Sequence, residues 1–175
     1  VLINNAGVGS FGNFSENSLS QQMSMLQLNM ITLVDLTHKM IPLLKKNGEA
    51  FIMNVASTAA YQAMPSFALY AASKSFVLSF SRALFHELKP HNIHVTTLSP
   101  GPTESDFVKT ANLDHIAEKA EKFNMKASLV AQIALDALFA GKQEVMPGIM
   151  NVYSSKLTRL VPRKMTEKFV KKMYE

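Results

Sequence analysis

Three short apolar segments, each separated from the next by a long stretch with helical periodicity, most constrain the fold. They are Val1-Leu2-Ile3, the run AFIMNV from Ala50 to Val55, and the run IHVTTL from Ile93 to Leu98. Apolar runs of this length are typical of strands buried in a parallel sheet. Helices are predicted over residues 19–46, 66–89 and 128–140, and a last short strand over 144–146. The alternation predicts an α/β fold.

Polar residues and glycines follow each of these strands. NNAG, from Asn4 to Gly7, follows the first strand, and Ser57 lies just past the second. The third strand ends in the turn Ser99-Pro100-Gly101-Pro102-Thr103, where the prolines fix φ and the glycine leaves it free. In an open parallel sheet, ligands bind in the crevice at the carboxyl ends of the strands. We therefore expect a binding site to form from these three loops.

Tyr70 and Lys74 are the strongest candidates for chemistry. They lie four residues apart in LYAASKSF, within the second predicted helix, so their side chains share one face. A cation near a phenol favours the phenolate and lowers the pKa of the phenol from about 10 towards neutrality. A hydroxyl with such a pKa is suited to proton transfer with an alcohol or carbonyl oxygen.

These motifs occur together in an order that resembles the short-chain dehydrogenase/reductase family. The resemblance rests on NNAG, on Asn29 in LQLNMITLVDL, on Ser57, on Tyr70-Ala-Ala-Ser-Lys74 and on Pro100-Gly101, and it extends from the first residue to about Val145. It implies a Rossmann-like, doubly wound parallel sheet in three α/β/α layers. It also implies an oxidoreductase that uses NADP or NAD to transfer a hydride between nicotinamide and a carbonyl or secondary alcohol.

The resemblance also implies a role for each matching residue. Tyr70 would be the general acid or base, Lys74 would lower its pKa and hold the ribose, and Ser57 would bind the substrate oxygen. Asn29 would kink its helix and hold a water connected to Lys74. The residues implied to contact the cofactor are Tyr70 and Lys74 themselves, Asn5, Ala6 and Gly7 near the ribose, and Pro100, Gly101, Thr103 and Ser105 near the nicotinamide. Ser105 stands where many members of the family have threonine.

One motif of the family has no counterpart in the sequence. The glycine-rich TGxxxGxG turn, whose following helix holds the pyrophosphate, does not occur in these 175 residues. We therefore expect a piece of a longer enzyme, truncated at the amino end. An inactive fragment or a non-catalytic binding module of the same fold is the alternative function.

Composition restricts the remaining possibilities. The chain has no cysteine, which excludes disulfides and thiolate catalysis and fits a cytoplasmic protein. His91 and His94 have no third metal ligand nearby, so no metal site is expected. Nucleic-acid binding is not expected either, because the basic segment lacks stacking aromatic residues.

Residues 149–175 differ from the rest of the domain, residues 1–148. The last 25 residues contain seven basic and two acidic residues, which accounts for the whole net charge of +5. Apolar residues recur every four positions through Tyr153, Leu157, Val161, Met165, Phe169 and Met173, and Pro162 divides them into two short helices. We expect this apolar side to pack on the domain. Contact with an anionic membrane, or a cover over an acyl substrate, is the alternative.

The segment 104–125 is predicted to be a mobile lid over the substrate. Phe107, Val108, Leu113 and Ile116 in this lid, with Tyr61, Met64 and Phe67, indicate an apolar cavity wall for a hydrophobic substrate, although packing alone would also explain them. The helix over 66–89 is apolar on more than one side. Together with the family resemblance, this predicts a homodimer or homotetramer.

Overall fold

The sheet has four parallel strands in the order in which they occur along the chain. The computed structural model describes residues 1–111 and 124–174. The strands are β1 (Leu2–Asn4), β2 (Ala50–Val55), β3 (Ile93–Leu98) and β4 (Glu144–Val145). Asn4 aligns with Asn54 across β1 and β2, and Leu98 with Val145 across β3 and β4. The predicted parallel α/β fold is confirmed.

The helices come close to the predicted positions. The long helices are α1 (Leu19–Leu26), α2 (Leu33–Leu44), α3 (Ala68–Leu88) and α5 (Ala127–Phe139), and the short helix α4 spans Phe107–Thr110. Short 3₁₀ segments occupy Lys45–Asn47, Thr58–Tyr61 and Lys89–His91. The single helix predicted over 19–46 is not regular, because a π-helical segment, Gln27–Thr32, separates α1 from α2.

Successive side chains of β2 pack into two different cores, one on each face of the sheet. The domain therefore has three layers, with helices on both sides of the sheet. Ile52 packs with residues of α2 and α3, including Leu44 and Leu84. Met53 packs on the opposite face with residues of α5, including Val130. Successive strand residues point to opposite faces, so α2 and α3 cover one side of the sheet and α5 covers the other.

The last two helices, α6 (Ile149–Leu160) and α7 (Arg163–Tyr174), are separated near Pro162 as predicted. Their contact with the domain is not the predicted one. Val170 is buried in a core cluster, whereas Tyr153, Leu157, Met165 and Phe169 are exposed. The expectation that this apolar series packs on the domain is therefore wrong for these four residues.

Within residues 1–111 and 124–174, no helix is both long enough and apolar enough to span a bilayer. The same part of the chain contains no group of three potential metal ligands. Most of the predicted lid, including Leu113 and Ile116, lies outside the described residues.

Candidate functional site

Tyr70 and Lys74 lie side by side, one turn apart in α3. Both side chains are buried, with relative exposures of 8% and 6%. The ammonium nitrogen of Lys74 is 5.9 Å from the centroid of the Tyr70 ring. That ring packs against Phe67 and Phe107, at centroid distances of 4.8 and 5.3 Å. The phenol therefore has an apolar wall on one part of its surface and a cation near another.

The Lys74 ammonium lies near the carboxyl ends of two strands. Its Nζ donates a hydrogen bond of 2.9 Å to the carbonyl oxygen of Val55, the last residue of β2. Burial lowers the pKa of Lys74 from its ordinary value of 10.5 to about 8. A Cβ at Gly7, just after β1, would lie 3.2 Å from this Nζ. A glycine at this position therefore leaves space for the ammonium group.

Asn29 ties the loop after β1 to α3. Its Oδ1 accepts a hydrogen bond from the backbone N–H of Val8, and its Nδ2 donates to the carbonyl of Val8, both at 3.0 Å. The same Nδ2 donates to Ser73 Oγ at 3.1 Å, next to Lys74. Asn29 lies in the π-helical segment, where the wider turn displaces the helix from regular α geometry. The helix is therefore irregular at Asn29, and the kink and the bound water implied for this residue stay predictions.

Ser57 lies at the carboxyl end of β2 and is buried. Its Oγ accepts a hydrogen bond from the N–H of Ala59 at 3.1 Å, which caps the 3₁₀ turn that follows. The N–H of Thr58 donates to the carbonyl of Pro100 at 2.9 Å. The structure therefore brings the Ser57 loop and the Pro100-Gly101 turn together, as the convergence of strand ends predicts.

The other predicted contact residues are more dispersed. Asn5 and Ala6 are exposed and line a groove on the outer side of β1, together with Ile3, Asn4, Leu28, Thr32, Leu33 and Leu36. Thr103 and Ser105 bond within their own loop: Thr103 Oγ1 donates to Gly101, and Ser105 Oγ accepts from the N–H of Phe107.

The Pro100-Gly101 turn also contacts the tail. A Cβ at Gly101 would lie 2.5 Å from both side-chain amide atoms of Asn151, near the start of α6. Asn151 is held there because its Nδ2 donates to the carbonyl of Pro147 at 2.7 Å. The close approach of α6 to this turn requires a residue without a side chain.

Tyr61 has a polar environment that the sequence interpretation missed. Its hydroxyl donates a hydrogen bond to Glu144 and lies 3.2 Å from Ser99 Oγ, while Arg82 pairs with Glu144 at 2.7 Å. Burial, followed by the hydrogen bond to Glu144, raises the pKa of Tyr61 to about 12. Tyr61 therefore anchors the Ser57 loop to β4 and to the turn after β3. Its ring packs against the cluster that contains Ala60 and Val77, not the one that contains Met64 and Phe67.

The other apolar wall residues that the structure describes do come together. Met64, Phe67 and Tyr70 share one buried cluster, and Phe107 and Val108 pack against it. Val170 of α7 belongs to the same cluster, which the sequence interpretation did not include. A phenol beside an ammonium can exchange a proton with a bound oxygen. The adjacent apolar side chains exclude water from that oxygen.

A chain of buried polar side chains connects the first two strands to two helices, and it was also missed. Asn4 Nδ2 donates to Thr37 Oγ1 at 2.9 Å and to Asn54 Oδ1 at 2.7 Å, and Asn54 donates to Ser81 Oγ at 2.9 Å. These bonds join β1, β2, α2 and α3. The repeated asparagine near the ends of the first two strands was the available signal.

The comparisons with known proteins agree on one family. The family model described as short chain dehydrogenase matches residues 1–116. The chain is 36% identical over 111 residues to a Helicobacter pylori protein named "Probable short-chain type dehydrogenase/reductase VdlC", covering 63% of this chain and 41% of that protein. It is 32% identical over 130 residues to dehydrogenase/reductase SDR family member 4 of Sus scrofa, covering 74% of this chain and 45% of that protein.

A solved structure extends the likeness to nearly all of the chain. The short chain dehydrogenase of Burkholderia cenocepacia in complex with NADP superposes with a TM-score of 0.80 at 26% identity, covering 97% of this chain and 67% of that one. The chain spans less than half the length of each of these two curated relatives.

Proposed function

Because the chain belongs to the short-chain dehydrogenase family, we propose that it is the catalytic part of an NAD(P)-dependent oxidoreductase. The reaction is hydride transfer between nicotinamide and a carbonyl or secondary alcohol. The observation that carries the proposal is the burial of Tyr70 beside Lys74, with Nζ 5.9 Å from the ring centroid. The Burkholderia relative in complex with NADP supports the cofactor class.

Tyr70 is proposed to give a proton to the carbonyl oxygen during reduction and to take it from the hydroxyl during oxidation. The charge of Lys74 favours the phenolate form of Tyr70 and thereby assists this transfer. Ser57, on its short turn, is proposed to donate a hydrogen bond to the same substrate oxygen. Together these three side chains position the oxygen and move its proton.

The residues around Gly7 fit the nicotinamide half of a dinucleotide. A Cβ at Gly7 would crowd Lys74 Nζ and Asn29 Oδ1, at 3.2 and 3.3 Å, so the absence of a side chain lets both polar groups lie against this loop. The Lys74 ammonium and the Tyr70 hydroxyl are suitable donors for ribose hydroxyls. When bound, the nicotinamide supplies the hydride chemistry.

The remaining contacts are proposed from the family match. Asn29 is proposed to hold the Gly7–Val8 backbone in place and to connect Lys74 with solvent through a water. Asn5 and Ala6 are proposed to lie along the ribose. Pro100, Gly101, Thr103 and Ser105 are proposed to face the nicotinamide, although Thr103 and Ser105 would have to exchange their present loop bonds for cofactor contacts.

We further propose an apolar carbonyl or alcohol as substrate. Met64 and Phe67 share a buried cluster with Tyr70, and Phe107 and Val108 pack against it. Apolar side chains packed around the Tyr70 ring favour a ligand with an apolar body and a single oxygen at the reacting carbon.

A homodimer or homotetramer is also proposed. Phe76 and Phe80, one turn apart on α3, stack on each other at 5.8 Å and are only partly buried. Light scattering on the purified protein gives its molar mass, and a monomer at all accessible concentrations would contradict this assignment.

Cofactor fluorescence and Tyr70→Phe together test the proposed reaction. Addition of NADPH or NADH should give enhanced, blue-shifted nicotinamide fluorescence. Tyr70→Phe should keep that signal and reduce turnover of hydrophobic ketones by about 100-fold or more, because the general acid is lost. Tyr153→Phe, at an exposed tyrosine of α6, is the matched control and should be unchanged.

The two measurements separate the possible failures. If neither nucleotide gives a fluorescence change, the chain is a non-catalytic module of this fold. If nucleotide binds and Tyr70→Phe turns over normally, the assigned role of Tyr70 is wrong.

A further inference from the structure

The outer faces of α6 and α7 expose more large apolar side chains than the sequence pattern led us to expect. We call these two faces together the tail face. Its apolar members have relative exposures from 57% to 75%, and they are Ile149, Met150, Tyr153, Leu157, Met165 and Phe169. Exposed apolar patches on soluble proteins commonly mark interaction sites.

On α6 the exposed apolar residues form one continuous stripe. Ile149, Tyr153 and Leu157 follow one another at intervals of four residues, and Met150 lies three residues before Tyr153. Residues at these spacings are neighbours on a helix surface. Ser155, on another side of α6, is buried. The helix therefore presents its apolar stripe away from the domain.

On α7 the outer surface combines apolar and cationic side chains. Met165 and Phe169 are one turn apart and exposed, and the exposed lysines are Lys164, Lys168, Lys171 and Lys172. Val170 points the other way, with 3% exposure, into the cluster that contains Tyr70. The same helix thus packs Val170 into the Tyr70 cluster on its inner side and presents charge on its outer side.

The charge of the tail determines which partner fits. Residues 151–175 hold seven basic and two acidic residues, and the rest of the chain has no net charge. A helix with an apolar stripe beside lysines is suited to lie in the headgroup region of a bilayer. Pairing with a second copy of this face would bring lysines against lysines, which is unfavourable.

We propose that the tail face docks on an anionic lipid bilayer. Both helices lie on the surface without crossing it. The apolar stripe enters the boundary between headgroups and acyl chains, and the lysines contact anionic headgroups. Docking does not depend on the proposed reaction. Val170 of α7 belongs to the apolar cluster around Tyr70. If the proposed reaction holds, docking of α7 therefore brings that cluster close to substrates dissolved in the lipid.

Vesicle cosedimentation tests the proposal directly. The purified chain is mixed with vesicles of phosphatidylcholine and phosphatidylserine in a 70:30 ratio, or of phosphatidylcholine alone. We expect binding to the anionic vesicles at least tenfold tighter than to the neutral ones, and a strong loss of binding at high salt. Equal binding to both vesicles, or binding to neither, would overturn the proposal.

Two double variants with the same change of charge test whether the tail face is responsible for vesicle binding. Lys168→Gln/Lys172→Gln should weaken binding to anionic vesicles roughly tenfold or more, since each lysine near such a surface contributes to affinity. Lys45→Gln/Lys46→Gln makes the same charge change at an exposed site after α2 and should bind as the unchanged protein.

The apolar contribution is tested in the same way. Leu157→Ser/Phe169→Ser should weaken binding, whereas Leu129→Ser/Phe139→Ser, at exposed positions on α5, should not. Circular dichroism confirms that each variant is folded. If Leu157→Ser/Phe169→Ser instead halves the molar mass of the protein in solution and leaves vesicle binding unchanged, the tail face is a subunit interface and the proposal is wrong.

Discussion

The candidate site and the tail distribute polar and apolar side chains in opposite ways. At the site, Asn29, Lys74 and Ser57 are buried, and each makes a hydrogen bond to nearby backbone. In the tail, Leu157 and Phe169 are exposed. Buried polar groups are costly unless paired, so the site depends on internal contacts. The effect of exposed apolar side chains depends instead on the molecule that contacts this surface.

This difference leads to distinct expectations for mutations. Changes at the site should alter the stability of the isolated chain, because its polar groups are paired within the fold. Changes on the tail face should leave stability nearly unaltered and act on binding. The following experiments test that contrast, beginning with the largest expected effect.

The pH dependence of stability should report the burial of Lys74. Its folded pKa of about 8 lies below its ordinary value of 10.5. Between these values the unfolded chain binds a proton that the folded chain has released, so the free energy of unfolding rises with pH across this window. The full rise is about 3 kcal/mol, at about 1.4 kcal/mol per pKa unit.

Urea unfolding at several pH values from 7.5 to 10.5 measures this rise. Lys74→Met removes the titrating group and should flatten the profile relative to the unchanged protein. Lys45→Met, at an exposed lysine, should keep the rise. Parallel profiles for the unchanged protein and Lys74→Met would mean that Lys74 is solvated in the folded chain.

Removal of the Asn29 side chain should destabilise the chain. Asn29→Ala leaves the N–H and the carbonyl of Val8 without their partners, and Ser73 Oγ loses a donor. We expect a loss of about 2 kcal/mol in the free energy of unfolding. Asn47→Ala removes one exposed hydrogen bond, to Leu43, and should cost less than about 0.5 kcal/mol. Similar losses for both variants in urea unfolding would refute the buried network.

Adjacent residues of α7 provide a direct comparison of its two faces. Val170 has 3% exposure and Phe169 has 71%. Val170→Ala should lower the free energy of unfolding by about 1 to 2 kcal/mol, because it leaves a cavity in the cluster around Tyr70. Phe169→Ala should change it by less than about 0.5 kcal/mol. If thermal or urea unfolding shows the reverse order, α7 packs on the domain through its other face.

Apolar runs and helical spacing in the sequence predicted the site better than the tail, because the site motifs depend on residues that are close together in the chain. The predicted bounds of β2 and β3 match the structure because short apolar runs between helical segments have few alternatives. Tyr70 and Lys74 lie together because helical spacing alone places them on one face. Both inferences need only residues near each other in the chain.

The features that were missed depend on distant residues. The hydroxyl of Tyr61 bonds Glu144, 83 positions away, and an aromatic residue in a loop does not reveal such a partner. The segment QLNMIT contains no helix-breaking residue, so nothing in its residue types predicts the π-helical turn found there. In the tail, the four-residue period identified an apolar side of each helix. Which side faces the domain depends on packing against distant residues such as those in the Tyr70 cluster, and periodicity does not contain that information.

The contact between Gly101 and Asn151 joins the site to the tail and provides the smallest predicted effect. A Cβ at Gly101 would lie 2.5 Å from the Asn151 side chain, which is itself held by the carbonyl of Pro147. Gly101→Ala should therefore displace Asn151 and lower the free energy of unfolding by about 1 kcal/mol, the value of one hydrogen bond. Its backbone should tolerate alanine, because Gly101 does not have a positive φ.

A double-mutant cycle separates this contact from other effects of the alanine. In an Asn151→Ala background, Gly101→Ala should cost almost nothing, because the clash is already relieved, and the coupling energy should be close to the single-variant loss. Additive losses in urea unfolding would show that α6 does not rest on the Pro100-Gly101 turn. A measured coupling would mean that the exposed tail face is held in a defined position by the site, because α6 could not then move independently of the turn beside Ser57.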